Sequence, residues 1–185
     1  DKIQVSCQTK VQKVVIDNGR VIGIEGRIIK CTFFKHIHKI IAKINCKMST
    51  YMPPLAQLLN GICTLIDKTM SRPYSARARK GVILSAGGFI FNKKRVHDCN
   101  DIFCQCLPLG TYADDGSGIS LGESAGGITS HMDKMSAWRF YVPPEALMQG
   151  VLVNKDGQRI CSEDLYGGKQ GDFIVSKGCG KAYLI

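Results

Sequence analysis

Between residues 3 and 25, valines and isoleucines crowd both sides of a turn signal. Val11, Val14, Val15 and Ile16 lead into Asp17-Asn18-Gly19-Arg20, and Val21, Ile22 and Ile24 lead out. Asn-Gly supplies the positive φ angles of a tight two-residue turn, so the pattern predicts a β-hairpin. The period then lengthens. Phe33, Phe34, Ile37, Ile40, Ile41, Ile44 and Met48 recur at helical spacing, with Lys35, His36, Lys39, Lys43 and Lys47 filling the other face. After Pro53-Pro54, which suit a helix start, a second stripe runs through Leu55, Leu58, Leu59, Ile62, Leu65, Ile66 and Met70. Two amphipathic helices are predicted.

Residues 81–89 form an uninterrupted apolar run that ends in small residues, Ser85-Ala86-Gly87-Gly88. Such a run predicts a buried parallel strand whose end lies against a ligand. Thr111–Gly118 opens a helix over 119–125, closed by Gly126-Gly127. Its exposed first amides and neighbouring glycines suit either a phosphate- or cofactor-facing terminus or an ordinary helix cap. Gly116-Ser117-Gly118 is not the dinucleotide fingerprint, because the last glycine is misplaced and no apolar strand directly precedes it. A second hairpin is predicted over 150–161 around Asn154-Lys155-Asp156-Gly157, and a helix over 169–177.

The 185 residues, 44% apolar and 22% charged, are of globular composition, which excludes a disordered tail, a coiled coil and a collagen-like fibre. The net charge of +10 arises in one place: residues 27–80 hold eleven Lys/Arg against the single acid Asp67. The basic amphipathic segment 31–70 therefore reads either as a helical hairpin packed on the rest of the protein or as a peripheral membrane-surface element. Nucleic acid is not an expected partner, since neither stacking aromatics nor a known module accompanies the charge. Nine irregularly spaced cysteines favour a reducing compartment and a cytoplasmic location. In His97, Cys99, Cys104 and Cys106 the close pairs are separated by a single residue where structural zinc usually wants two to four, so no metal is expected. Strand-like runs at both ends suggest a piece of a longer chain.

Four motifs in order carry a resemblance: KGVILSAGGF (80–89), DDGSGISLGESAGG (114–127), SAWRFYVPPEAL (136–147) and GVLVNKDGQRICSEDLYGG (150–168). Together they resemble the flavoproteins of the fumarate reductase and 3-ketosteroid dehydrogenase superfamily, most closely its 3-oxosteroid dehydrogenase branch. The resemblance implies an α/β fold with FAD as cofactor. Residues 1–132 would be an interior part of a Rossmann-like FAD-binding domain with β-hairpins, carrying a helical hairpin at 27–75 outside the common family core. Residues 133–185 would begin a capping substrate domain.

The resemblance further implies that Ser85, Ala86, Gly87 and Gly88 form the strand-end turn beside the cofactor, and that Asp115 is the acid of the family's Gly-Asp-Gly-like motif. Small residues permit backbone approach, and a carboxylate accepts hydrogen bonds from cofactor hydroxyls. Residues 136–141 lack the histidine with which fumarate reductases hold a dicarboxylate. Ketosteroid dehydrogenases place a tyrosine soon after an Asn-Glu motif; Tyr166 falls there, with Ser162 in the asparagine's place, and Tyr141 is the next candidate. The implied function is hydride transfer between FAD and a carbon–carbon bond conjugated to a ketone, on an apolar, 3-ketosteroid-like substrate. The alternative is a catalytically incompetent binding or membrane-surface module that retains the flavoprotein scaffold.

Overall fold

The turn at Asn18-Gly19 is where the fold begins. Both residues have positive φ (48° and 75°), and they join strand β1 (Thr9–Asp17) to β2 (Arg20–Ile29) in the antiparallel hairpin that the pattern predicts. In this computed structural model, which describes residues 3–139 and 149–185, a third strand, β3 (Ser71–Arg77), pairs antiparallel with β2 from Gly23↔Arg77 to Ile29↔Ser71. The sheet order is β1-β2-β3. Two glycines of the central strand allow its neighbours close. A Cβ at Gly26 would collide with the carbonyl oxygen of Lys10, and one at Gly23 would lie 2.5 Å from that of Ala76.

Between β2 and β3 the chain leaves as helix α1 (Thr32–Tyr51), turns at Met52 and returns as α2 (Pro53–Met70). Arg27 fastens the base of this excursion: its Nε donates to Ser71 Oγ (2.7 Å) and a terminal nitrogen donates to the Ser71 carbonyl (2.6 Å). The core here holds Val14, Ile29, Ala56 and Cys63.

Chain contacts divide the molecule into two units. The first comprises Asp1–Asn92 and Pro108–Thr129 and adds helix α4 (Ser117–Ser124) to the sheet and hairpin. The second comprises Lys93–Leu107 and Ser130–Ile185. It contains α3 (Lys93–Cys99), a 3-10 turn (Asp101–Gln105), β4 (Leu152–Val153), α5 (Gly167–Lys177) and β5 (Tyr183–Leu184). Leu152 and Ile160 form its centre, with Phe173, Ile174 and Leu184 packed on them.

Two expectations are corrected. Residues 81–89 are not a buried parallel strand: no strand is assigned there and Ile83 is 92% exposed. An apolar run becomes a strand only by pairing, and none of the strands among the described residues is its neighbour. The 150–161 segment does turn through Asn154–Gly157, with Asn154 N–H donating to Gln158 O (2.9 Å), but the ladder partner of β4 is β5. A single bridge, Val153↔Arg159, is all the strand pairing that the turn itself retains.

The glycines of the sheet and of α2 should respond oppositely to substitution. Gly26→Ala is expected to lower the melting temperature by roughly 3–8 °C, because the added methyl meets backbone that cannot yield. Gly61→Ala, in mid-helix with open space around its Cβ, should raise it by about 2–4 °C. Thermal melts followed by circular dichroism check both.

Candidate functional site

The segment Ser85-Ala86-Gly87-Gly88 is exposed backbone held from below by one side chain. The Asp114 carboxylate accepts from the N–H groups of Gly88 (3.3 Å) and Thr111 (2.8 Å) and from the Thr111 hydroxyl (3.3 Å). Gly87 takes the left-handed conformation (φ 74°), and a Cβ at Gly87 would strike that carboxylate. Two backbone bonds complete the clasp: Gly116 N–H to Gly88 O and Phe91 N–H to Asp114 O, each 3.0 Å. Gly118, in the first turn of α4, lets Ala86 approach so closely that a Cβ would lie 2.7 Å from the alanine methyl.

Asp115, the acid singled out from sequence, points its Oδ1 at the Ser117 N–H (2.9 Å) and so satisfies one of the free amides at the start of α4. Asp114, which sequence reasoning passed over, organises the loop. The doubled acid was its only signal, and nothing in the spacing tells which member binds which backbone.

Ala86, Asp115 and Ser117 form one side of a cavity of about 790 Å³ within the first unit. The aromatic pair Phe91–Tyr112 lines it too, ring centroids 4.6 Å apart, with the Tyr112 phenol pushed up in pKa by burial. The far wall is the helical hairpin, with His38 and Asn45 from α1 and Cys63 and Asp67 from α2. His38 Nε2 lies 3.4 Å from Asp67 Oδ1. His38 Nδ1 and Asn45 Oδ1 are buried without a partner among the described residues. Burial, and secondarily the Asp67 charge, raise the Cys63 thiol in pKa, so it stays protonated at neutral pH and is a poor nucleophile. Among the described residues no three His, Cys, Asp or Glu side chains gather to hold a metal.

Tyr166 belongs to the second unit, at the start of α5. The residue is 64% exposed, and its ring stands edge-on to Trp138, centroids 4.6 Å apart. The loop that carries it is clamped twice. Glu163 accepts from the Leu152 N–H (2.7 Å) and from Arg159 (2.5 Å), which ties the loop to β4. Gln170, 1% exposed, donates to the Glu163 carbonyl (2.7 Å) and ties it to α5. Glu163 is the acid of the Ser-Glu pair that stands in place of the family's Asn-Glu motif, but nothing in the sequence tells that its carboxylate binds Leu152 and Arg159, or that Gln170 reaches back to it. Tyr141 lies outside the described residues.

No protein-family model matches the chain. A curated relative does: the chain is 31% identical over 188 residues to the 3-oxo-5-alpha-steroid 4-dehydrogenase of Comamonas testosteroni. The chain is 3-ketosteroid dehydrogenase-like. The match spans 96% of this chain and 34% of the relative, so the chain covers about a third of that protein's length. Among solved structures, the 3-ketosteroid-delta4-(5alpha)-dehydrogenase of Rhodococcus jostii RHA1, in complex with 4-androstene-3,17-dione, superposes with a TM-score of 0.63. That alignment covers 95% of this chain and 28% of the other at 24% identity, a likeness of fold. The mixed α/β architecture thus agrees with this dehydrogenase-like fold.

The clamp on the Tyr166 loop is pH-sensitive. The Arg159 hydrogen bond first, and the Leu152 N–H second, hold the Glu163 carboxyl down to about 2. A depressed carboxylate contributes stability that is complete above its unfolded value, near 4.5, and is lost as pH falls through about 2. Glu163→Gln should therefore melt roughly 2–4 °C lower at pH 7, with the difference from the parent shrinking toward pH 2. Melts across that pH range check it.

Proposed function

We propose that this chain is part of an FAD-dependent oxidoreductase that acts on 3-ketosteroid-like substrates. The observation that carries the proposal is the 31% identity, across 96% of the chain, to a 3-oxo-5-alpha-steroid 4-dehydrogenase. In this reading residues 1–132 belong to a Rossmann-like FAD-binding domain and 133–185 to a substrate-capping domain. Contact of segment 31–70 with a membrane surface belongs to the same reading.

The fit of the cofactor to these residues rests on the loop at 85–88. It is exposed, a Cβ at Gly88 would meet nothing within 4 Å, and its underside is fixed by Asp114. Open backbone on a braced turn suits close approach of a cofactor, so Ser85, Ala86, Gly87, Gly88 and Asp115 are the residues that would hold it. When bound, FAD supplies the hydride acceptor. The protein supplies the rest: removing hydrogen beside a ketone needs a group to take the α-proton, and Tyr166 is assigned that role. Trp138, Glu163 and Gln170 fix the position of the ring and its loop.

Tyr166→Phe removes the hydroxyl and keeps the ring against Trp138. In the protein that carries this chain, kcat on a 3-ketosteroid should fall by about a hundred- to ten-thousand-fold while flavin content stays unchanged. A loss smaller than about threefold at full flavin occupancy is too small for an acid–base group and would move the role to Tyr141.

A further inference from the structure

The helical hairpin turns its polar side chains His38, Asn45, Asn60 and Asp67 toward the cavity and an apolar stripe toward its surroundings. On α1 the positions His38, Ala42 and Asn45 line the cavity, and on α2 Asn60, Cys63 and Asp67 do so. At about 100° per residue, Phe33, Ile40 and Ile44 lie on the opposite side of α1, and Leu58, Ile62 and Leu65 on the opposite side of α2. All six are exposed. Because both inner faces line the same cavity, both outer stripes point away from it and form one apolar surface. Its length is set by helices of 20 and 18 residues, about 30 Å at 1.5 Å per residue.

Charge selects what covers this surface. Lys39, Lys43 and Lys47, spaced by four, run along α1 beside the apolar stripe, and all three are exposed. Helix α1 contains no acidic residue, and the one acid of α2, Asp67, is on the cavity side. An apolar strip flanked by a row of lysines is complementary to an anionic lipid bilayer, with side chains entering the acyl boundary and ammonium groups among the headgroups. No helix among the described residues is long and apolar enough to cross a membrane, so the contact is one of lying on the surface.

We infer that the outer face of the α1–α2 hairpin docks on anionic phospholipid, which places the cavity behind it next to the bilayer where apolar steroids dissolve. This deepens the functional reading and rests on it only for the steroid.

Vesicle co-sedimentation of the 185-residue chain, with neither flavin nor steroid present, tests the docking by itself. Vesicles of phosphatidylcholine with phosphatidylserine should pellet the protein, and phosphatidylcholine alone should not. Binding should vanish at about 1 M salt, where the screening length is roughly 3 Å. Replacing Lys39, Lys43 or Lys47 by Gln should weaken it about fivefold each. The pair Leu58→Gln and Leu65→Gln should abolish it with an unchanged melting temperature, since both side chains are already exposed. Absence of binding, or equal binding to neutral and anionic vesicles, would overturn the proposal. A dimer that forms without lipid and persists with vesicles would assign the stripe to a second copy instead. Intact vesicle binding by the chain, with no steroid turnover by the FAD-loaded protein that carries it, would count against the enzyme reading alone.

Discussion

The pairing of Ile29 with Ser71 constrains everything built on the first unit. Whatever leaves the sheet at the end of β2 must come back to the adjacent position on β3. Arg27 enforces this by spanning from β2 to both the hydroxyl and the carbonyl of Ser71, and the Ser71 hydroxyl in turn donates to the Asp67 carbonyl at the end of α2. A closed base requires two helices of nearly equal length, and α1 and α2 supply 20 and 18 residues. The same closure fixes rotation. With their ends pinned, the helices present His38, Asn45 and Asp67 to the cavity and must turn their apolar stripes outward.

That orientation is costly in isolation. Buried polar atoms without partners, His38 Nδ1 and Asn45 Oδ1, each carry a desolvation cost on the order of 1–3 kcal/mol, while exposed leucines and isoleucines gain nothing. An arrangement that places polar groups inside and apolar groups outside is retained where both faces have something to meet. The cavity, bounded on its other side by Ala86, Asp115 and Ser117, gives the inner face its counterpart. In the second unit the logic is the ordinary one of a loop braced at two points, Glu163 to β4 and Gln170 to Glu163, so that Tyr166 stands in a defined place while staying exposed.

How much of this can be read from residue order depends on whether the deciding interaction is local. The first hairpin is legible because Asn18-Gly19 encodes its own turn, and both helices are legible because periodicity is a property of one segment. β3 is not, since Arg72-Pro73 reads as a break; proline is tolerated there only because β3 is an edge strand. The apolar run at 81–89 fails for the converse reason: its composition demands burial, but a strand also needs a neighbour, and neighbours are not written into the run itself. Periodicity likewise gives the stripes of α1 and α2 but not the direction they face. The loop at 85–88 is apparent from its small residues, whereas Asp114 becomes its organiser only through a carboxylate that reaches across 26 positions to Gly88.

We propose that the protein carrying this chain moves hydride between a flavin and a ketosteroid. Anaerobic titration of its FAD-loaded form with a 5α-reduced 3-ketosteroid measures that transfer without an external acceptor. The account predicts bleaching of the oxidised flavin band near about 450 nm, with one steroid desaturated per flavin reduced. A protein that holds stoichiometric FAD and whose band is unchanged by excess steroid would contradict it.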